Sequence, residues 1–422
     1  MFYEDIDKTC ESIAQFSKKD SEAYRLFYEN SLKTLDLITM GLFSPPASFG
    51  SFAALMDQSD EGRELLRTTM MSSLDIIERY FESDAVKVAL TRYASELMIC
   101  PQTKGTGMVL FLVVPMMHRY GGGMPEGGSG ELSESLKRCI LDLGGEVKTS
   151  AGIKSFKVVG GECKGVVLES GEEVVAKKAV VTNLNIKQVF PDMVKTADLP
   201  SGFVDKVKNL LISDYQAFQQ GSGLHEAPKY KADGDINKAF LVEFAPQTLE
   251  AYMKSFANLT YGIPVDDTPL VVCTSLHDPT RAPEGKHTSY IYQYAPYNLK
   301  DGGGAKWDQI SDQFADRIMG VIEGQTTNMG PDNLIGRWIK SPLDLERYND
   351  AWPQGDFTHI GSYMWQNTGN RPLPVYNYRM PIDKLYFCGP STHPGLGVIG
   401  GGRASVQVVM EDLGIDFEKV IA

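Results

Sequence analysis

The chain has 422 residues, 42% of them hydrophobic and 23% charged, with a formal net charge of −13. That length exceeds a single core and sets two or three domains as the expectation. The acidic balance excludes a nucleic-acid partner held through its phosphates, but leaves membrane contact open, since apolar contact needs no basic patch.

Residues 4–100 read mainly as helices. "SKKDSEAYRLFYENSLKTLDLI" carries apolar positions at helical spacing behind a Ser17 cap, and "SDEGRELLRTTMMSSLDIIERYF" opens on Ser59 and Asp60 with an acidic first turn. "SPPASFGSF" breaks the pattern between them. "MVLFLVVPMM", Met108–Met117, is the longest apolar run. It holds a proline and is too short to span a bilayer, so it reads as a core strand or helix segment. The N-terminus, MFYEDIDKTC, is acidic and polar, unlike a secretory signal.

Glycines then lead into an amphipathic helix from about Ser129 to Leu143, ended by Gly144-Gly145. Short strands follow. "EVKTS" leads to Gly152, and alternation with turns at Gly160-Gly161 and Ser170-Gly171 predicts a meander closing in the buried-looking strand "AVVTN". Residues 191–300 mix helix and strand. "LVVCTSLHDPTRAPEGKHTSYIYQYAP" reads as two strands joined by a Pro/Gly-rich loop, and "WDQISDQFADRIMGVIEG" as an amphipathic helix. Residues 341–378 are loop-rich and aromatic. The chain closes with the strand "KLYFCGP", a glycine-dense loop and a final helix.

The six cysteines, Cys10, Cys100, Cys139, Cys163, Cys273 and Cys388, show no CxxC spacing, as expected in a reducing, cytoplasmic setting. The six histidines form no HxH or HExxH pattern, so no metal site is expected.

The closing loop carries the chemistry. Consecutive glycines between strand and helix let backbone approach a ligand without Cβ hindrance. The helix start adds free N–H groups and a partial positive charge of about half a unit. Such an end suits a phosphate, or a group that gains negative charge during reaction. The plainer reading is a structural turn with glycines for tight packing, since one Gly-rich loop is a weak motif.

"DKLYFCGPSTHPGLGVIGGGRAS" resembles the C-terminal flavin segment of the phytoene desaturase-like FAD-dependent oxidoreductases, within the amine oxidase superfamily. Upstream motifs recur in the family's order: "GGMPEGGSGELSESL", "GVVLESGEEVVAKKAVVTN", "SLHDPTRAPEGKHT", "SPLDLERYN", "GDFTHI" and "RPLPVYNYRMPIDKLYFCG". The resemblance covers about residues 4–415. It implies an α/β with α+β fold: a discontinuous Rossmann-like flavin domain with an inserted substrate domain of mixed sheet and helices. The corresponding division is 1–120 (helical substrate or lid region), 121–190 (flavin-domain part), 191–378 (substrate domain) and 379–422 (C-terminal flavin-domain part). By the same resemblance Gly389, Gly395, Gly397, Val398, Ile399 and Gly400 line the flavin ring and ribityl chain of FAD. Ile153 lies where family members pass a strand beside the adenine, and Thr182 and Asn183 end a strand close to the cofactor.

The sequence departs from the family at its start. Family members open with a βαβ unit carrying GxGxxG and an acidic residue for the ribose, whereas the first glycine here is Gly41. Either a separate small FAD-binding subunit supplies that unit, or the chain is truncated, or the cofactor is lost. The retained C-terminal loop argues against loss.

The implied activity is a desaturase or dehydrogenase moving a hydride from a C–H of a small apolar substrate to FAD. An isomerase or saturase of the same fold, and a cofactor-free binding or escort protein, are the alternatives. No Ser-His-Asp order or paired-carboxylate motif marks a protein nucleophile. His393 and His359 are the catalytic candidates, each with a loop-fixing hydrogen bond or simple packing as the plainer reading. Arg403 reads as a phosphate contact or a surface salt bridge. His277 and Asp278 read as loop stabilisers, because Asp-Pro with a following glycine is turn chemistry. Tyr363, Trp365, Tyr376 and Tyr378 read as an apolar pocket or as ordinary core. Peripheral attachment to a membrane fits the apolar content but does not follow from it.

Overall fold

The computed structural model of the chain describes residues 1–374, 376–395 and 400–421, with only the backbone of Thr196. The first 120 residues are helical: Ile6–Ala14, Lys18–Leu42, Phe49–Met56, Asp60–Met70, Ser73–Tyr80, Asp84–Ala94 and Met108–Tyr120. Ser17 and Ser59 cap their helices as expected, accepting from the Asp20 and Gly62 amides. Asp20 is fully buried and accepts from the Glu82 and Ser83 amides at 2.8 Å, tying the long helix to the start of a later one. Tyr24, Phe27, Ile76, Ile77, Phe81, Leu110 and Val114 form the core of this bundle. The run "MVLFLVVPMM" is the helix beginning at Met108, not a strand. Among the described residues no helix is long and apolar enough to cross a membrane.

A helix, Ser129–Asp142, follows and ends on Gly144 at φ +78°, with Gly145 N–H donating to the Ile140 carbonyl at 2.8 Å. Then come β1 (Ile153–Val159), β2 (Glu162–Leu168) and β3 (Glu173–Val175), an antiparallel meander as predicted, and β4 (Val180–Thr182). The expected strand at Glu146–Ser150 does not form. Its alternating side chains have no neighbouring strand to pair with, and the whole segment is exposed.

A second sheet contains β5 (Gln216–Leu224), β6 (Val242–Glu243), β7 (Leu270–Val272), β8 (His287–Ala295) and β9 (Leu334–Lys340) in the order β6-β7-β8-β5-β9. Every pairing in it is antiparallel. Alternation sends Phe218 and Ile291 to one face, against Trp307, Phe314 and Ile318 of the helix Trp307–Gly324. The opposite face carries Tyr215, Tyr292 and Tyr294 against Tyr252 and Phe256 of the helix Leu249–Thr260. Each such fully buried side chain contributes on the order of 1.5–3 kcal/mol.

The last strand, β10 (Leu385–Phe387), returns to pair parallel with β4, Leu385 opposite Val180 and Phe387 opposite Thr182. Phe387 and Leu385 share a core with Phe156 and Cys163 of the meander and with Ile186, Val189 and Phe190. The closing helix Gly400–Asp412 packs Ala404 and Val408 on Tyr378 and Tyr386.

Candidate functional site

Parallel pairing sends β4 and β10 toward the same end, and ligands in open α/β sheets bind at that end. Just beyond the strand ends, Asn183 and Gly389 meet there. Cys388 N–H donates to the Thr182 carbonyl at 2.9 Å. Gly389 has φ +74°, and a Cβ on it would lie 3.1 Å from that of Asn183. The closing helix arrives just as tightly: a Cβ on Gly401 would lie 3.1 Å from the Gly389 nitrogen. Glycine is what lets strand end and helix start touch. Among the described residues nothing lies within 4 Å of a would-be Cβ on Gly402.

A buried arginine fixes this loop from below. Arg371 is 2% exposed. Its guanidinium donates to the Pro390 carbonyl from Nη2 at 2.6 Å and from Nε at 3.0 Å, and to the Ile360, Thr358 and Gly361 carbonyls at 2.8, 3.1 and 3.3 Å. Burial pulls its pKa down to about 10, against the pull of Asp356, so it stays charged near neutrality. Asp356 is itself buried and accepts from the Ser213 and Thr358 amides at 2.8 and 2.9 Å. Burial raises its pKa and those hydrogen bonds oppose the rise.

The two candidate histidines differ. His359, at φ +65° and buried, has Nδ1 3.0 Å from Ser391 Oγ, which accepts from the Ile186 amide at 3.1 Å. Burial, then the Arg371 charge, lowers its pKa to about 4, so it is neutral at pH 7. His393 donates from Nε2 to the Gly41 carbonyl at 2.8 Å, at the end of the long N-terminal helix. Its buried Nδ1 has no partner among the described residues, and burial lowers its pKa as well. Gln407 Nε2 reaches the Phe43 carbonyl at 2.8 Å, so the helical region is fastened to both sides of the glycine loop.

Of the residues expected to hold FAD, the structure brings Thr182, Asn183, Gly389, Gly395 and Gly400 into one neighbourhood, around Arg371 and Pro394. Gly397, Val398 and Ile399 lie outside the described residues. Ile153 starts β1 opposite Leu168, in the separate meander. Arg403 stacks over the half-buried Phe417 ring near the C-terminus, 5.1 Å from its centroid. The aromatic set is dispersed: Trp365 is 58% exposed and stacked on Tyr363, whereas Tyr378 is buried and donates to the His393 carbonyl at 3.0 Å. Asp278 stabilises more than its own turn, accepting from the Thr280 and Gly127 amides at 3.1 and 2.8 Å. Arg371 and Ser391 were missed. The only signal for Arg371 was its place at the head of "RPLPVYNYRMP".

The donor set fits a flavin. The glycine helix start offers backbone N–H groups, Gly389 and Gly401 let strand end and helix start meet, and a buried imidazole nitrogen near them has no partner among the described residues. Among the described residues no group of three His, Cys, Asp or Glu is arranged to hold a metal ion.

Known proteins point the same way. No family model matches the chain. It is 28% identical over 459 residues to the pyridine nucleotide-disulfide oxidoreductase domain-containing protein 2 of Rattus norvegicus, covering 97% of this chain and 76% of that protein. It is 24% identical to one of the limonene dehydrogenase subunits of Castellaniella defragrans, covering 98% and 78%. It is 23% identical to the lycopene-forming phytoene desaturase of Pantoea ananas, covering 95% and 78%. An oxidoreductase from Methanosarcina mazei has the same fold, with a TM-score of 0.52 at 19% identity over 86% of this chain and 75% of its own. The resemblance seen in the motifs therefore extends along nearly the whole sequence.

Proposed function

We propose, for a chain akin to the phytoene desaturase-like FAD-dependent oxidoreductases, that it is the substrate-bearing subunit of a flavin desaturase or dehydrogenase acting on an apolar C–H, its ADP-binding half supplied by another chain. The observation that carries this reading is the convergence of Thr182, Asn183 and Gly389 with the glycine start of the last helix. Bound FAD supplies the hydride acceptor. The chain's residues do the rest. The glycine start of the last helix would hold the cofactor through backbone rather than side chains, and its partial positive charge would favour negative charge gained there. Arg371 holds the loop still by its carbonyls. His393, whose Nδ1 has no partner among the described residues, would be the group to take the proton that leaves with the hydride. The relatives named as a phytoene desaturase and as part of a limonene dehydrogenase support dehydrogenation of a hydrocarbon-like substrate.

The test is spectroscopic. The assembled protein, purified with FAD, is expected to be yellow and to bleach anaerobically when a terpene or polyene hydrocarbon is added. A yellow protein that shifts a double bond without net bleaching would make it an isomerase. A colourless protein that never takes up flavin would sink the reading in favour of a binding protein.

A further inference from the structure

A second set of polar groups sits on one face of the second sheet. Arg92 is 1% exposed and comes from the helix Asp84–Ala94. Its guanidinium lies over the Tyr294 ring, 4.3 Å from the centroid, and only Nη1 donates hydrogen bonds, to Glu96 and to the Tyr294 hydroxyl. Nε and Nη2 are buried without a partner among the described residues. Those two nitrogens form one edge of the planar group, the edge that grips an acceptor side-on. The Glu243 carboxylate lies 3.7 Å from Nε, beyond hydrogen-bonding reach, and has no hydrogen-bond partner among the described residues. A donor edge and a carboxylate left unmatched in a buried place are costly unless a third group completes both. The setting is apolar and open on one side. Strand pairing aligns Glu243, Leu270 and Tyr292 across β6, β7 and β8, with Val272 and Tyr290 in the next row on the same face. Leu270, Val272 and Tyr290 are half-buried, and Glu243 and Glu96 keep 19 and 46% of their side chains exposed.

We infer that this face binds an apolar molecule through a hydroxyl group seated between Arg92 and Glu243, with the molecule's body over Leu270, Val272 and Tyr290. The chemistry of the pair selects the group. A hydroxyl accepts from the Nε–Nη2 edge and donates to the carboxylate, so one oxygen satisfies both. A carbonyl accepts from Arg92 but leaves Glu243 without a donor. An ammonium donates to Glu243 but leaves the guanidinium edge unpaired and sets a like charge beside it. A carboxylate brings a third negative group to a cluster in which Glu96 already pairs with Arg92. Water has the same donor and acceptor as a hydroxyl, but only a hydroxyl on an apolar body also covers the half-buried row beside it and gains hydrophobic contact. That the bound molecule is the substrate of the oxidoreductase rests on the proposed function, whereas its recognition by Arg92 and Glu243 does not.

Probes of one ring skeleton decide it: p-menthane, menthol, menthone and the corresponding menthane carboxylate, which differ only in the group on a single carbon. Titration calorimetry on the protein as purified is expected to show menthol binding at least about tenfold more tightly than each of the others, as one hydrogen bond to a charged group allows. Glu243→Leu keeps the bulk of the side chain and removes the acceptor. Arg92→Lys keeps the charge and removes the side-on edge. In either variant the preference for menthol over p-menthane is expected to vanish while p-menthane still binds. Glu243 is the more exposed of the two, so its variant carries the test if Arg92→Lys does not fold. The inference is overturned if no probe binds, if menthol and p-menthane bind alike, so that water alone fills the gap, if menthone or the carboxylate binds as tightly as menthol, or if Glu243→Leu keeps the preference. Flavin absorbance on the same samples separates the two ideas. A preference for menthol in a protein without flavin keeps this site and removes the functional reading, whereas a flavoprotein that bleaches with a hydrocarbon but shows no such preference does the reverse.

Discussion

Arg371 directs its guanidinium to four backbone carbonyls where a buried cation usually meets a carboxylate. It thereby fastens the turn at Thr358–Gly361 to the glycine loop at Pro390. Gly395 is the residue this arrangement constrains most. Its φ is +86°, and a Cβ there would lie 2.5 Å from Arg371 Nε. Gly395→Ala is expected to cost about 1–3 kcal/mol for the backbone conformation alone, and to push the guanidinium off Pro390. Urea denaturation should show that loss, and FAD titration should show weaker binding by more than the loss of stability explains. Unchanged FAD affinity would mean that the loop's shape does not matter to the cofactor. The glycine loop took on meaning in the sequence only beside the upstream motifs in the same order, since a lone glycine run between strand and helix is also a structural turn. Arg371 was not, because an arginine satisfied by carbonyls leaves no charge pattern to find.

At the level of elements, what is local was legible and what is distant was not. Ser17 and Ser59 announce their helices because a cap is decided within one turn. The meander was visible from alternation and its glycine turns. The sheet order β6-β7-β8-β5-β9 has no local signature, and the β4–β10 pair joins segments separated by about half of the chain. Only the family's order of motifs pointed to it. Glu146–Ser150 marks the converse failure: its pattern is that of a strand, but a strand is defined by a neighbour. Asp278 shows how distant elements are tied. Its carboxylate accepts from Gly127, just before the uncovered helix, and from Thr280. Asp278→Ala is expected to lower stability by about 1–2 kcal/mol and to speed amide hydrogen exchange across 127–143. Exchange that stays at the parent rate would show that the helix is anchored elsewhere.

Across the whole molecule, two buried groups in different cores titrate against each other. His359 has its folded pKa lowered to about 4 from 6.5 by burial. Its contribution to stability is complete above pH 6.5 and is lost as pH falls through about 4. Glu243 sits beside Arg92, whose Nε is 3.7 Å away, with 19% of its side chain exposed. Burial raises its pKa to about 7 from 4.5, although Arg92 pulls the other way. Its contribution is complete below pH 4.5 and is lost as pH rises through about 7. Each shift corresponds to about 3 kcal/mol at most, and between pH 4.5 and 6.5 the two slopes oppose. The parent therefore conceals them, and each is exposed by removing the other. His118 and His393, both lowered by burial, add to the His359 slope, so difference curves against the parent are needed. In urea unfolding from pH 4.5 to 7, the parent should gain up to about 3 kcal/mol over Glu243→Gln as pH falls, because the variant has no carboxyl left to protonate. The parent should lose a similar amount relative to His359→Gln over the lower part of that range. A Glu243→Gln curve running parallel to the parent's would show that Glu243 is ionised in the fold throughout, held so by Arg92 in spite of its burial.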